Sequence, residues 1–118
     1  MSKKRILVCD DEEGVRESLN LILERDYDVS FAANGIEAIE HVSKNVTDLL
    51  ILDIKMPKMD GIETLKQIKK IKPKLKVIVA TGYKSVETAA EAVKHGASDY
   101  IVKPFESKQV LEAIAKQI

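Results

Sequence analysis

Five short apolar runs, spaced by stretches whose apolar residues return every three or four positions, limit this chain to very few folds. The runs are "RILVC" (5–9), "DVSFAA" (28–33), "DLLILD" (48–53), "KVIVAT" (76–81) and "DYIVK" (99–103). Runs this short, bounded by turn formers and rich in Val, Ile and Leu, read as strands. Between them, Val15, Leu19, Ile22 and Leu23 recur at helical spacing, as do Ile36, Ile39 and Val42. The same holds for Ile62, Leu65 and Ile68, for Val86, Ala89, Ala90 and Val93, and for Val110, Leu111, Ile114 and Ile118. Strands alternating with helices imply an α/β fold, a parallel sheet covered on both faces. The middle runs are continuously apolar, as doubly covered strands should be. Pro73 and Gly96 stop the third and fourth helices, while Asn34-Gly35 and Asp60-Gly61 mark turns. Ser85 and Ser107 are positioned to cap helices.

With 118 residues, 45% of them hydrophobic, residues 1–118 read as a single domain with one core. Lys+Arg and Asp+Glu are both 19, so a role on nucleic acid or a membrane surface would need a local basic patch. Lys66, Lys69, Lys70, Lys72, Lys74 and Lys76 do cluster, and read as a solvated helix face and loop. No run approaches the ~18 apolar residues of a membrane span. No secretory signal precedes the first strand. The single cysteine, Cys9, cannot form an internal disulfide and reads as a buried structural thiol in a reducing cytosol.

In open parallel sheets, ligands bind beyond the carboxyl ends of the strands. The first strand ends on Asp10 and Asp11, the third on Asp53. The fourth ends on Thr81, followed by Gly82, and the fifth on Lys103, followed by Pro104. The second ends on Ala32 and Ala33 and offers no side-chain chemistry. Each of these residues is ordinary when taken alone. Together, three carboxylates, a hydroxyl and an ammonium at one rim form a charge-balanced set. Three close carboxylates raise one another's pKa unless cations intervene. Lys103 supplies one positive charge and a hard divalent ion would supply two. Oxygen-only ligands favour Mg²⁺. Glu12 and Glu13 begin the first helix, where negative charge meets the positive end of the dipole, and read as structural. His41 and His95 lie apart on expected helix surfaces, and nothing resembles a zinc site. A carboxylate can also attack phosphorus to give an acyl phosphate. Asp53 stands alone at its strand end and is the best nucleophile, with Asp10 and Asp11 as a metal clamp. Lys103 and the Thr81 hydroxyl can then hold phosphoryl oxygens.

The motifs "ILVCDDE", "LLILDIKMPKMDG", "VIVATGY" and "GASDYIVKPF" cover essentially the whole chain in order. The sequence resembles the receiver domain of two-component response regulators. The resemblance implies a doubly wound, flavodoxin-like sheet of five parallel strands in order 2-1-3-4-5, flanked by five helices. It makes Asp53 the phospho-accepting residue, Asp11 a direct Mg²⁺ ligand and Asp10 one acting mainly through water. Lys55 would give only its backbone carbonyl to the ion. Thr81 and Lys103 match the pair that contacts the phosphoryl group, and the Lys103–Pro104 bond one that is usually cis. Tyr100 matches the aromatic switch that moves with Thr81. The implied donor is a phosphohistidine on a histidine kinase or phosphotransfer protein. The implied readout is the face of the fourth helix, fifth strand and fifth helix, which meets a downstream protein or effector domain.

On this reading the protein is a switch rather than an enzyme, although it catalyses its own Mg²⁺-dependent phosphorylation. Partners are proteins, not nucleic acid or membrane, the setting is cytoplasmic, and the state is a monomer or a phosphorylation-dependent dimer. Lys55 and Tyr83 occupy the two positions that tune phosphoryl lifetime in the family. Neither is suited to orient water, so slow self-dephosphorylation is expected. A phosphatase of the haloacid dehalogenase type would need an acid where Lys55 stands. A nucleotide-binding module would need a G-x-G-x-x-G or G-x-x-x-x-G-K-[ST] loop, and there is none. Stand-alone regulator and receiver part of a longer one, such as an enhancer-binding transcription regulator, fit the sequence equally. The fifth helix, "ESKQVLEAIAKQI", lacks the Arg that would favour the dimer mode of winged-helix regulators.

Overall fold

The computed structural model describes residues 3–54, 60–82 and 86–118. Among them, strands β1 (Arg5–Cys9), β2 (Asp28–Ala32), β3 (Leu49–Asp53), β4 (Lys76–Gly82) and β5 (Asp99–Lys103) alternate with five helices. The helices are α1 (Glu13–Leu23), α2 (Gly35–Lys44), α3 (Gly61–Ile71), α4 (Val86–Lys94) and α5 (Ser107–Ala115). All strand pairs are parallel, in the expected order β2-β1-β3-β4-β5.

The two-residue period of each strand splits the core in two. Leu7 and Cys9 of β1, Leu50 and Leu52 of β3, and Val77 and Val79 of β4 face α2, α3 and α4. Ile6, Val8, Leu49, Ile51, Ile78 and Ile101 face α1 and α5. β3 lies in the middle of the sheet, and all five of its residues are buried. A fully buried Leu or Ile side chain contributes about 2 kcal/mol, so the central strands are the anchored part of the fold. Their carboxyl ends can therefore hold polar groups rigidly.

Helix ends follow local chemistry. The Asn34 side chain accepts the Glu37 N–H at 2.9 Å and starts α2. Asp60 accepts the Ile62 N–H at 2.7 Å and starts α3. Gly96, at φ +105°, turns the chain after α4, a conformation that strains any residue with a Cβ.

The structure corrects several boundaries. β2 stops at Ala32 rather than Ala33, β3 begins at Leu49 rather than Asp48, and β4 runs on to Gly82. Asp48 is instead a connector whose carboxylate takes the Arg5 N–H at 2.7 Å. The buried stripe of α2 is Gly35, Ala38 and Val42, and Ile36 is 53% exposed. On α4, Ala92 is buried while Ala90 and Val93 are exposed; the side chains of Val86 and Ala89 lie outside the described set. Small residues let helices approach the sheet closely, and they weigh little in an apolar count. Ser107 does not cap α5 but is its first residue. Glu106, with extended backbone, is the N-cap and gives no side-chain bond. Ser85 lies outside the described residues. His41 is on α2 as expected, whereas His95 sits in the turn after α4, 4.0 Å from Glu91.

Candidate functional site

The carboxyl ends of β1, β3, β4 and β5 meet at one rim. Cys9 pairs with Leu52, Asp53 with Ala80, Thr81 with Val102 and Gly82 with Lys103. This register aligns Asp10, Asp53, Thr81 and Lys103 across neighbouring strand ends. β2, chemically silent in its side chains, contributes a backbone group. The Ala32 carbonyl accepts the Asp10 N–H at 3.1 Å.

Asp10 is only 2% exposed, and each of its polar groups has a partner. Its Oδ1 accepts the Glu12 N–H at 2.9 Å, closing a tight turn into α1. Its Oδ2 accepts from Lys103 Nζ at 2.9 Å, and its backbone carbonyl accepts from Arg16 Nη1 at 2.7 Å. Lys103 also stands 3.6 Å from Asp53 Oδ1, so one ammonium bridges two buried carboxylates. Burial works to lower the Lys103 pKa. The hydrogen bond to Asp10 and the charges of Asp53, Asp10 and Glu12 outweigh it and hold the pKa above the usual lysine value. Lys103 is therefore a fixed cation at neutral pH. The stability it contributes is fully present below the ordinary lysine pKa and fades only as pH rises through its raised value.

Asp11 and Glu12 are exposed beside Asp10. Carboxylate oxygens of Asp10, Asp11 and Glu12 all lie within 4.8 Å of one another. This oxygen-only set fits a hard divalent cation. Glu12, expected only to begin the first helix, thus belongs to the acidic group as well. It is the N-cap residue of α1, but its side chain makes no capping bond. Thr81 is buried, with its hydroxyl donating to the Gly82 carbonyl at 2.8 Å. Tyr100 is 42% exposed on β5. The Lys103–Pro104 peptide is cis. Lys55 and Tyr83 lie outside the described residues.

Cys9 is the buried neighbour of this charge cluster. Its thiol lies 3.4 Å from the Asn34 carbonyl. Burial, then the nearby charges of Asp10, Asp53, Glu37 and Asp11, push its pKa up from 9.0 to about 12. The neutral thiol is favoured in the fold, so its contribution to stability is intact below pH 9 and is lost between there and about pH 12. A thiol reagent at pH 8 is expected to leave folded Cys9 untouched and to modify it once urea unfolds the chain. Rapid labelling of the folded protein would contradict this placement.

Two residues of this rim are not apparent from sequence. The helix dipole alone accounts for Glu12 there. Arg16 does not stand out, although an Arg in the first turn of a helix is a signal in itself, because the dipole there disfavours positive charge.

Comparison with known proteins agrees with the geometry. Residues 6–115 match the family model of the response regulator receiver domain. The chain belongs to this family. Its relatives include the sporulation initiation phosphotransferase F of Bacillus subtilis, 37% identical, with the alignment covering 100% of this chain and 96% of that protein. Transcriptional regulatory protein ZraR of Klebsiella oxytoca is 47% identical over 86% of the chain, but the match spans only 23% of that longer protein. Among solved structures, a CheY-like receiver domain protein from Methanospirillum hungatei superposes with a TM-score of 0.92 at 37% identity. That superposition covers 98% of this chain and 93% of the other. The protein is a phospho-accepting receiver of two-component signalling, a family whose members are phosphorylated on aspartate and exchange the group with histidine kinases or phosphotransfer proteins. No helix among the described residues is long and apolar enough to cross a membrane.

Proposed function

We propose that Asp53 is the phosphoryl acceptor of this receiver and that residues 1–118 work as a single receiver domain. The reading rests on one observation above all. A single buried-edge ammonium, Lys103, stands between Asp10 and Asp53 at 2.9 and 3.6 Å. A cation so placed can leave one carboxylate for a phosphoryl oxygen without crossing the site.

Asp10, Asp11 and Asp53, with the Lys55 backbone carbonyl, would hold Mg²⁺, which when bound supplies the charge neutralisation that an incoming phosphoryl group needs. An Asp53 carboxylate oxygen attacks phosphorus, the P–N bond of the partner's phosphohistidine breaks, and its electron pair returns to the imidazole. Lys103 follows the new negative charge. Thr81 exchanges its bond to the Gly82 carbonyl for a phosphoryl oxygen. Thr81 is buried and Lys103 partly so, which limits competition from water at these donors. The protein thereby catalyses its own phosphorylation while acting as a switch.

The phosphoryl group adds roughly two negative charges. Movement of Thr81 opens space that the Tyr100 ring can take, which changes the surface of α4, β5 and α5. Val93, 48% exposed, and Tyr100 give that surface apolar anchors for a downstream protein or effector domain. The chain's likeness to part of a transcriptional regulator supports an effector in transcription. Its likeness to a phosphotransferase of similar length supports transfer between proteins. The proposed setting of either route is the cytoplasm.

The assignment is tested by locating the phosphoryl group. After incubation with an acyl phosphate and Mg²⁺, borohydride reduction and peptide mapping should mark Asp53. Chelation of the metal should suppress the label. A label on Asp10, Asp11 or Glu12 would overturn the assignment.

A further inference from the structure

We propose that Arg16 is a positioning residue for the divalent-cation site, which it serves by clamping the β1–α1 turn from the helix side. The inference rests on the reading of Asp10 and Asp11 as metal ligands. Arg16 is the one basic residue of α1, and it follows the four acids Asp10, Asp11, Glu12 and Glu13. It stands in the first turn of the helix, where the dipole opposes a positive charge. Surface pairing would explain it cheaply, since Glu12, Glu13 and Glu17 are close in sequence. Yet among the described residues Arg16 makes no ion pair within 4 Å. Its guanidinium turns back and donates to the Asp10 carbonyl at 2.7 Å, and the side chain is partly buried in doing so.

That bond completes a closed frame around Asp10. The Ala32 carbonyl holds its N–H, the Glu12 N–H and Lys103 hold its carboxylate, and Arg16 holds its carbonyl. The Asp10 carbonyl is the backbone step into Asp11. Fixing it sets the direction in which the exposed Asp11 carboxylate leaves the turn. Without the clamp, the Asp10 N–H and carboxylate keep their partners, but the carbonyl that leads into Asp11 loses the Arg16 bond. Outer-shell groups of this kind orient metal ligands they do not themselves join.

Charge and position make opposite predictions here. As a nearby cation Arg16 repels Mg²⁺, so its removal should tighten binding by Coulomb's law alone. As a clamp, its removal should weaken binding. The test is calorimetric Mg²⁺ titration of the full chain, its Arg16→Met variant and its Arg16→Lys variant, each shown to be folded by urea denaturation without metal. Arg16→Met should bind Mg²⁺ about tenfold more weakly. Arg16→Lys, which keeps a donor able to reach the carbonyl, should recover most of the loss. Equal or tighter binding by Arg16→Met overturns the proposal, even if its stability falls, because a purely structural residue would change stability alone. Should Arg16→Met not fold, Arg16→Gln is titrated in its place under the same criterion. An unaltered chain that bound no Mg²⁺ would overturn the metal reading itself, and with it this inference.

Discussion

Asp53→Ala is expected to lose phosphoryl uptake from a small acyl phosphate by at least about a thousandfold, the scale on which removing a nucleophile acts. The fold should survive. Lys103 keeps its 2.9 Å bond to Asp10, and the rim loses one of several crowded negative charges. The urea midpoint without Mg²⁺ should therefore stay level or rise. Paired measurements of phosphoryl stoichiometry and urea midpoint separate loss of chemistry from loss of structure. The Thr81 hydroxyl also lies at the rim, but it is neutral and already bonded to the Gly82 carbonyl. Acid-labile phosphate retained by Asp53→Ala would mean that another carboxylate is the acceptor.

Of Gly14, Gly61, Gly82 and Gly96, Gly61 should tolerate a methyl group least. Gly61 opens α3, and its N–H donates to the Ile54 carbonyl at 2.9 Å. A Cβ at that position would fall against the Ile54 Cα and come within 2.7 Å of the carbonyl oxygens of Asp53 and Ile54. These are backbone atoms at the end of a fully buried strand, so no flexible side chain can yield. The strain should cost about 3 kcal/mol, or about 10 °C in melting temperature. The effect should also reach the chemistry, because the backbone that must yield carries Asp53. Gly14 supplies the control, since a Cβ there meets nothing within 4 Å. A Gly61→Ala protein that melted with the unaltered chain would show that α3 can slide along the sheet at no cost.

Much of this architecture could be read from residue order. The β3 run is apolar at every position before its terminal Asp because both faces of the central strand are covered, and little else in a chain of this size produces that pattern. The strand ends were equally legible, since parallel strands bring their carboxyl ends to one rim whatever the helices do. The errors share a cause. Gly35, Ala38 and Ala92 are core residues too small to dominate a periodicity, whereas Ile36 and Val93 are conspicuous and point outward. Ser107 has the right chemistry for a cap but sits one residue inside the helix, a difference of backbone angle that composition does not record. Arg16 and Glu12 were hidden for another reason. Their roles depend on how far a side chain reaches back over a turn, and that distance is a property of the folded backbone.

The bond between Lys103 and Asp10 joins residues 93 positions apart. Contacts so distant in sequence form late, because the chain must first bear the entropy of closing the loop between them. A ribosome that has made β1 to β4 has made the acids and the hydroxyl, but not the cation that balances them. The half-made rim would lack the ammonium that bridges Asp10 and Asp53 until the fifth strand docks. If Asp53 and Lys103 act as proposed, competence to receive a phosphoryl group arrives with the final strand of the sheet, and a signalling-competent chain is one whose whole sheet has closed.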